Sequence, residues 1–448
     1  MNFCKTMSAV PIALAALLGG CGDTANLSIA QGTGPAPALP EPTRTLFPTV
    51  EIAEAVGWPA GATPLAAPGL RAQAFATGLD HPRWLLALPN GDVLVAESAA
   101  PPPPPGVGDG GIKGFFMRMF MREAGSAVPS ADRITLLRDS DGDGIVDFRS
   151  IYLSGLTSPF GMAVVGETLY VANADALVAF PYDPAATSIA SAPRLVTALP
   201  SGRNHHWTKS LAASRDGRRL YVGVGSNSNV GENGLEEEVE RAAIWEIDAA
   251  TGAHRIFASG LRNPVGLTFL PGTDELFVVV NERDELGSDL VPDYLTRVQR
   301  GAFYGWPWSY FGAHVDTRVE PPRPDMVARA VAPDYALGSH VAPLGLTFSH
   351  GARLGPDFAS GAFIGLHGSW NRRPLAGYRV IFVPFSGGVP FGQPLEVLTG
   401  FLTDDAHARG RPVGVAIDGR GALLVADDVG NTIWRVTGAN PPARVAEQ

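Results

Sequence analysis

Four stretches of this chain share one plan. Pro159-Phe160-Gly161-Met162 runs to Val164, turns at Gly166 and returns as Leu169-Tyr170-Val171-Ala172. Pro264-Val265-Gly266-Leu267 runs to Phe269, turns at Pro271-Gly272 and returns as Leu276-Phe277-Val278-Val279. Pro343-Leu344-Gly345-Leu346 leads to Phe348 and later to Phe363-Ile364-Gly365-Leu366. Pro412-Val413-Gly414-Val415 leads to Ile417, Gly419 and Leu423-Leu424-Val425-Ala426. Two weaker copies lack Pro-x-Gly. Pro82-Arg83-Trp84-Leu85 precedes Asn90-Gly91-Asp92 and Val93-Leu94-Val95-Ala96, and 207–211 precedes Asp216-Gly217 and Leu220-Tyr221-Val222. Asn-Gly and Asp-Gly between apolar runs signal hairpins. The copies lie roughly 45 to 80 residues apart, room for a four-stranded sheet and its loops. Six such sheets round an axis predict an all-β, six-bladed β-propeller. A β-sandwich or two unrelated β domains is the rival, and six in-phase copies favour the propeller.

Composition agrees. The 448 residues include 53 glycines and 39 prolines, about a fifth of the chain, without a three-residue period. Many short strands joined by turns need that excess. A net charge of −10 argues against binding along a phosphate backbone, so no nucleic-acid partner is expected. Two cysteines exclude a disulfide scaffold and a four-cysteine zinc site, and no Cys-x-x-Cys-His motif exists for covalent haem.

The chain opens with Lys5, an apolar stretch from Ala9 to Leu18, and Leu18-Gly19-Gly20-Cys21. This looks like a bacterial lipoprotein signal, with residues 1–20 removed and Cys21 acylated; a secretory signal cut nearby is the other reading. A lipid-anchored protein on the periplasmic face of a membrane is expected. Residues 21–60, rich in Ala, Pro, Gly and Thr, read as a flexible linker, 61–440 as the propeller, and 99–130 as a long insertion in its first blade. Within that insertion, 115–122 interleaves apolar and basic residues and reads as a short helix packed on the propeller, with contact to a membrane or a redox partner as the other reading.

Propeller symmetry brings the residues before each first strand together at one end of the axis. These are His81, Ser158, His205, Arg262 with Asn263, His340, and Arg409 with Arg411. The ends of the second strands add Glu97, Asn173, Ser226 with Asn227, 281–284, 367–372 and Asp427. Histidines and arginines gathered there suit a flat ligand with several carboxylates.

The stretches 202–211 (Gly-Arg-Asn-His-His-Trp-Thr-Lys-Ser-Leu), 260–266 (Gly-Leu-Arg-Asn-Pro-Val-Gly), 281–285 (Asn-Glu-Arg-Asp-Glu), 304–307 (Tyr-Gly-Trp-Pro) and 367–372 (His-Gly-Ser-Trp-Asn-Arg) resemble the sorbosone dehydrogenase family, related to the soluble quinoprotein glucose dehydrogenases. The resemblance implies a six-bladed propeller that oxidises an aldose, pyranose or sugar aldehyde with pyrroloquinoline quinone (PQQ) and Ca2+. It implies His205 as general base, with His206 the competing candidate. It implies Asn204, Arg262, Asn263, His340, Arg372, Arg409 and Arg411 as cofactor-binding residues. Backbone at Glu282, Arg283 and Asp284 would hold the Ca2+. Ser226 stands where the glucose enzymes orient the base with an acid, and Ser158-Pro159 where they have a glutamine. With no haem motif in the chain, an external cytochrome or quinone would re-oxidise the cofactor.

Asp139, Asp141, Asp143 and Asp147 have carboxylates at loop positions 1, 3, 5 and 9 with Gly144 at position 6, a Ca2+-loop spacing that an acidic turn equally explains. Two other functions remain open. One is a ligand- or protein-binding propeller without chemistry. The other is a Ca2+-dependent lactonase, which would have little use for Arg262, Arg409 and Arg411 together.

Overall fold

A computed structural model describes residues 22–45, 48–104, 119 and 121–439. Six four-stranded antiparallel sheets follow one another round an axis. Blade 1 is Pro82–Ala87, Val93–Glu97, Arg133–Arg138 and Phe148–Leu153; blade 2 is Met162–Val165, Thr168–Ala172, Ala176–Pro181 and Arg194–Ala198. Blade 3 is Leu211–Ala213, Arg219–Val224, Ala243–Asp248 and His254–Ser259; blade 4 is Asn263–Phe269, Leu276–Asn281, Pro292–Arg297 and Tyr335–Ser339. Blade 5 is Pro343–Phe348, Gly361–Leu366, Arg379–Ser386 and Leu395–Thr399. Blade 6 is Pro412–Ile417, Leu423–Asp427 and Thr432–Gly438, completed by Leu70–Thr77 from the other end of the chain. The first strand of each blade is innermost, and the six innermost strands touch in sequence to close the ring. The protein is a six-bladed β-propeller.

The Pro-x-Gly signature marks places where the innermost strands of neighbouring blades meet tightly. A Cβ on Gly345 would stand 2.1 Å from the Val413 carbonyl oxygen, and one on Gly414 2.7 Å from that of Arg83. Gly161 faces the Leu211 nitrogen at 2.4 Å and Gly266 that of Leu346 at 2.9 Å. Any side chain there would push two innermost strands apart. In blades 4, 5 and 6 the register shifts at the same segment, as a β-bulge that bends the strand does. Second strands such as Val93–Glu97 and Leu423–Asp427 are buried along their whole length, so they read as continuous apolar runs.

The stretch read as a flexible linker is instead packed along the propeller. Thr33–Gly34 adds a strand to the outer edge of blade 4. Trp58 packs edge-on against Phe401 and Trp434 and donates to Asp427 Oδ2 at 2.7 Å. Low-complexity composition hid this, because backbone pairing and one aromatic anchor need no hydrophobic periodicity. Signal residues 1–20, Cys21 and most of 105–120 lie outside the described residues. Of the predicted short helix, Met119, Met121 and Arg122 carry helical backbone. No described helix is long and apolar enough to cross a membrane.

Candidate active site

Four loops that deliver the chain into innermost strands hold a non-glycine residue in left-handed backbone: His81 (φ 53°), Ser158 (45°), Asn204 (47°) and His340 (61°). Such backbone is unfavourable for residues with a Cβ and persists only where the surroundings over-determine it. All four residues are buried. They ring the axial end that sequence symmetry selects.

At this end a cavity of about 220 Å³ is bounded by His205 and His206 of blade 3, Arg262, Asn263, Glu282, Asp284 and Asp293 of blade 4, and His340, Trp370 and Asn371 beside blade 5. Arg262 is held in place rather than free. Its Nη1 donates to the Glu282 carbonyl at 2.6 Å, and its Nη2 donates to Asn229 Oδ1 at 3.0 Å and Asp284 Oδ2 at 3.1 Å. Burial works against ionisation of Asp284, yet Arg262, His340 and Asn371 hold its carboxyl down at about 2. His340 Nε2 donates to the Gly287 carbonyl at 3.0 Å, and its Nδ1 lies 3.5 Å from Asp284 Oδ1. Burial opposes charge on His340, but the Asp284 carboxylate raises its pKa above the ordinary histidine value. Burial pushes Asp293 up to about 7 although it accepts from two backbone amides, those of Glu282 and Ala342.

The two adjacent histidines differ. His206 Nδ1 lies 2.8 Å from the Ser226 carbonyl oxygen and 3.0 Å from Ser226 Oγ. A carbonyl only accepts, so Nδ1 carries the proton and Nε2 keeps its lone pair. Burial first, then Arg262 and His205, press the His206 pKa well below 6.5, so the ring is neutral near pH 7. His205 is exposed at the rim, its backbone N–H donating to Asn227 Oδ1 at 3.1 Å. Ser226, predicted to stand where an acid would orient the base, thus meets His206.

Asn204 does not line the cavity. Its Oδ1 accepts from Lys209 Nζ at 3.0 Å and Arg241 Nη1 at 3.3 Å, and its Nδ2 donates to the Ala174 carbonyl at 3.0 Å. It is a strut beneath the histidine loop. The fully buried Lys209 also bonds the Trp207 carbonyl at 3.1 Å, so it ties both flanks of the histidine pair.

Across the axial end a second cluster joins blades 1, 5 and 6, a group sequence reasoning reached only through His81, His367 and Arg411. The buried Asp428 accepts from Arg83 and from His367 Nε2 at 2.9 Å, with His81 Nε2 at 3.5 Å. Burial resists its ionisation, but His367, His81 and Arg83 hold it well below the usual carboxylate range. Arg83 sits over Phe160 and Trp207. Arg411 lies 4.8 Å from the Tyr378 ring centroid. Arg83 and Asp428 escaped the sequence reading because they stand two positions past His81 and one past Asp427, the residues that symmetry singles out. Arg409 is half-buried and makes no ion pair with a described residue. Arg372 does not reach the axial cavity; it lines a separate one between blades 4 and 5.

Several buried polar atoms here have no partner among the described residues: Asn263 Oδ1, Arg411 Nε and Nη2, Arg83 Nε and Asp428 Oδ1. Native interiors leave few such atoms, and a polar ligand accounts for them. Asn263 offers an acceptor in the lining of the axial cavity, while Arg83 and Arg411 offer unpartnered N–H groups in the second cluster outside that lining, a set that suits a planar polycarboxylate such as PQQ. Ca2+ at 282–284 does not fit as arranged. The Glu282 carbonyl already accepts from Arg262, the Asp284 carbonyl accepts from Arg318 Nη1 at 2.9 Å, and Arg283 is buried against Glu282, Asp316 and two carbonyls. At the opposite end of blade 1, Asp139, Asp141 and Asp143 bring their oxygens within 4.8 Å of one another, while Asp147 turns to Ser140 and Arg420 already pairs with Asp139.

The family described as TrAA12-like matches residues 133–294 and 325–439. An uncharacterised protein of Borreliella burgdorferi is 30% identical over 241 residues, 53% of this chain and 62% of that protein. The PQQ-dependent pyranose dehydrogenase of Coprinopsis cinerea is 25% identical over 363 residues, 66% of this chain and 49% of that protein. The chain thus spans about half to three fifths of these relatives' lengths. The fold is similar to that of the Trichoderma reesei carbohydrate-active enzyme of family AA12, with a TM-score of 0.67 at 20% identity over 87% of this chain and 99% of that one. It is also similar to the holo PQQ domain of the Coprinopsis pyranose dehydrogenase, with a TM-score of 0.64 at 21% identity over 86% and 100%. The chain is a distant homologue of PQQ-dependent sugar dehydrogenases.

Proposed function

The chain belongs to the TrAA12-like family, and from that premise we propose that it is a PQQ-dependent dehydrogenase of an aldose, pyranose or sugar aldehyde. The observation that carries this is the set of partnerless buried donors and acceptors at the axial end, Arg411 Nε and Nη2 above all. Arg411, Arg83 and Asn263 would hold the cofactor, with Arg262 fixed beside them by Asp284 and the Glu282 carbonyl. When bound, the quinone supplies the acceptor for hydride leaving the substrate carbon. The protein's own part is proton transfer. His206 Nε2 takes the proton of the substrate hydroxyl, while the Ser226 carbonyl holds the Nδ1–H and fixes the ring. Asp284, held ionised beside Arg262, raises the pKa of His340 at the cavity wall against the effect of burial.

The motifs at 202–211 and 367–372 support the sorbosone dehydrogenase branch, and a sugar as partner follows from it. The signal at 1–21 supports a lipid anchor at Cys21 on the periplasmic face of a membrane. The clustered arginines weigh against the lactonase reading. The test is reconstitution. PQQ is titrated into the purified chain by absorbance, and a panel of sugars and sugar aldehydes is then offered with an artificial electron acceptor. Saturable PQQ binding and turnover that His206→Ala removes support the proposal. A chain that binds no PQQ overturns it.

A further inference from the structure

Between blades 4 and 5 lies a cavity of about 500 Å³, inside the roughly 300–1,000 Å³ span of small-molecule sites. Its walls include Leu337, Val341, Leu366 and Leu375, and its roof is the segment 25–33, with Leu27 and Ile29 among the lining. The four charged residues at its edge cancel: Arg379 pairs with Glu396 at 2.6 Å, and Arg372 Nη2 lies 3.9 Å from Asp289. A carboxylate would meet as much negative as positive charge. It would gain no net attraction there, whereas a neutral, largely apolar molecule needs none. One donor is left over, since Arg372 Nε is buried without a partner while its Nη1 donates to the Pro374 carbonyl at 2.6 Å. That donor suits a carbonyl oxygen.

The wall between this cavity and the axial one is a single layer of chain. Val341 lines one cavity while its neighbours His340 and Ala342 line the other, and Arg372 lines one while Asn371 lines the other. The layer is tight, because a Cβ on Gly377 would stand 2.7 Å from the Gly368 Cα. The roof also follows Cys21, the proposed acylation site, within a few residues.

We infer that this cavity binds the ring of a membrane quinone, a neutral benzoquinone or naphthoquinone with an apolar tail, as the electron acceptor. Its purpose rests on the dehydrogenase reading; the binding itself does not. Oxidation of the substrate CH–OH to C=O releases two electrons and two protons. The acceptor ring takes all four, and its two carbonyl oxygens become hydroxyls. Arg372 Nε donates to one of those oxygens.

The probe is a decyl-substituted benzoquinone, measured by equilibrium dialysis against the purified chain without PQQ. One saturable site is expected, weakened at least tenfold by Ala376→Trp, which fills the cavity, and by Ile29→Asp, which places a charge in the roof. Ile29 is 64% exposed, so the second variant decides the matter even where the first fails to fold. Decanoate in excess should not compete. Absent binding, binding unchanged in Ile29→Asp, or equal competition by decanoate overturns the inference. PQQ titration of the same preparations separates the two claims. Quinone binding without PQQ binding overturns the dehydrogenase reading alone, and the reverse overturns the acceptor site alone.

Discussion

On the proposed dehydrogenase reading, Ser226 singles out His206 rather than His205 as the base. Its carbonyl and hydroxyl both meet His206 Nδ1, while His205 sits exposed at the rim. His206→Ala should lower kcat by about 10²- to 10⁴-fold, the usual worth of a positioned base, with PQQ binding kept. His205→Ala should cost less than tenfold. Steady-state kinetics on both variants decides it, and the opposite ranking returns the role to His205. The pH dependence follows from the same contacts. A base must be unprotonated, and burial with Arg262 depresses the His206 pKa well below 6.5. The acid limb of kcat/KM should therefore fall below pH 6.5, and a limb centred at or above 6.5 contradicts the assignment. At this scale the sequence located the loop but not the atom. Motif spacing identifies His205 and His206 together, and only the direction of one carbonyl tells them apart. Asn204 shows the same limit, since its neighbours Lys209 and Arg241 turn it inward as a strut.

The Pro-x-Gly segment is where the element scale becomes visible. Its glycine has ordinary backbone geometry, so conformational freedom is not the reason for it; the reason is the backbone of the next blade. At Gly345 the added carbon would sit 2.1 Å from a carbonyl oxygen of the adjacent innermost strand, which cannot swing aside as a flexible side chain would. Gly345→Ala should destabilise by about 1–3 kcal/mol or more, the range for overpacking. Gly419→Ala is the control, because nothing lies within 4 Å of its added carbon; it should stay within about 0.5 kcal/mol. Thermal or denaturant unfolding of the pair measures this, and equal effects refute the close-packing account. These glycines made the blades legible in sequence, since the constraint recurs at each tight junction. The segment 22–60 was not legible for the converse reason. Strand Thr33–Gly34 docks through backbone pairing, and Trp58 through one ring, neither of which leaves a period to read.

At the scale of the whole molecule, the ring is closed by one strand from the far end of the chain. Leu70–Thr77 pairs along seven residues with Thr432–Gly438, so blade 6 is assembled from both termini. Upstream, Trp58 adds one of four donors to the buried Asp427; the others are Trp434 Nε1 at 3.0 Å and the backbone amides of Arg411 and Gly430, both at 2.8 Å. Burial still raises the Asp427 pKa to about 6, so losing any of the four donors leaves its charge less supported. Two truncations separate closure from support. Removing residues 22–67 leaves every blade with four strands but takes Trp58 from Asp427. It should lower the melting temperature while keeping one cooperative transition. Removing residues 22–77 also strips the outer strand of blade 6, exposing the unpaired edge of Thr432–Gly438 beside the buried Ile433 and Trp434. That chain should lose its single transition and aggregate at concentrations where the shorter truncation stays monodisperse. Calorimetry with light scattering distinguishes the two. A 22–77 deletion that melts as sharply as the intact chain would mean that the five blades with complete sheets hold the ring without its closing strand.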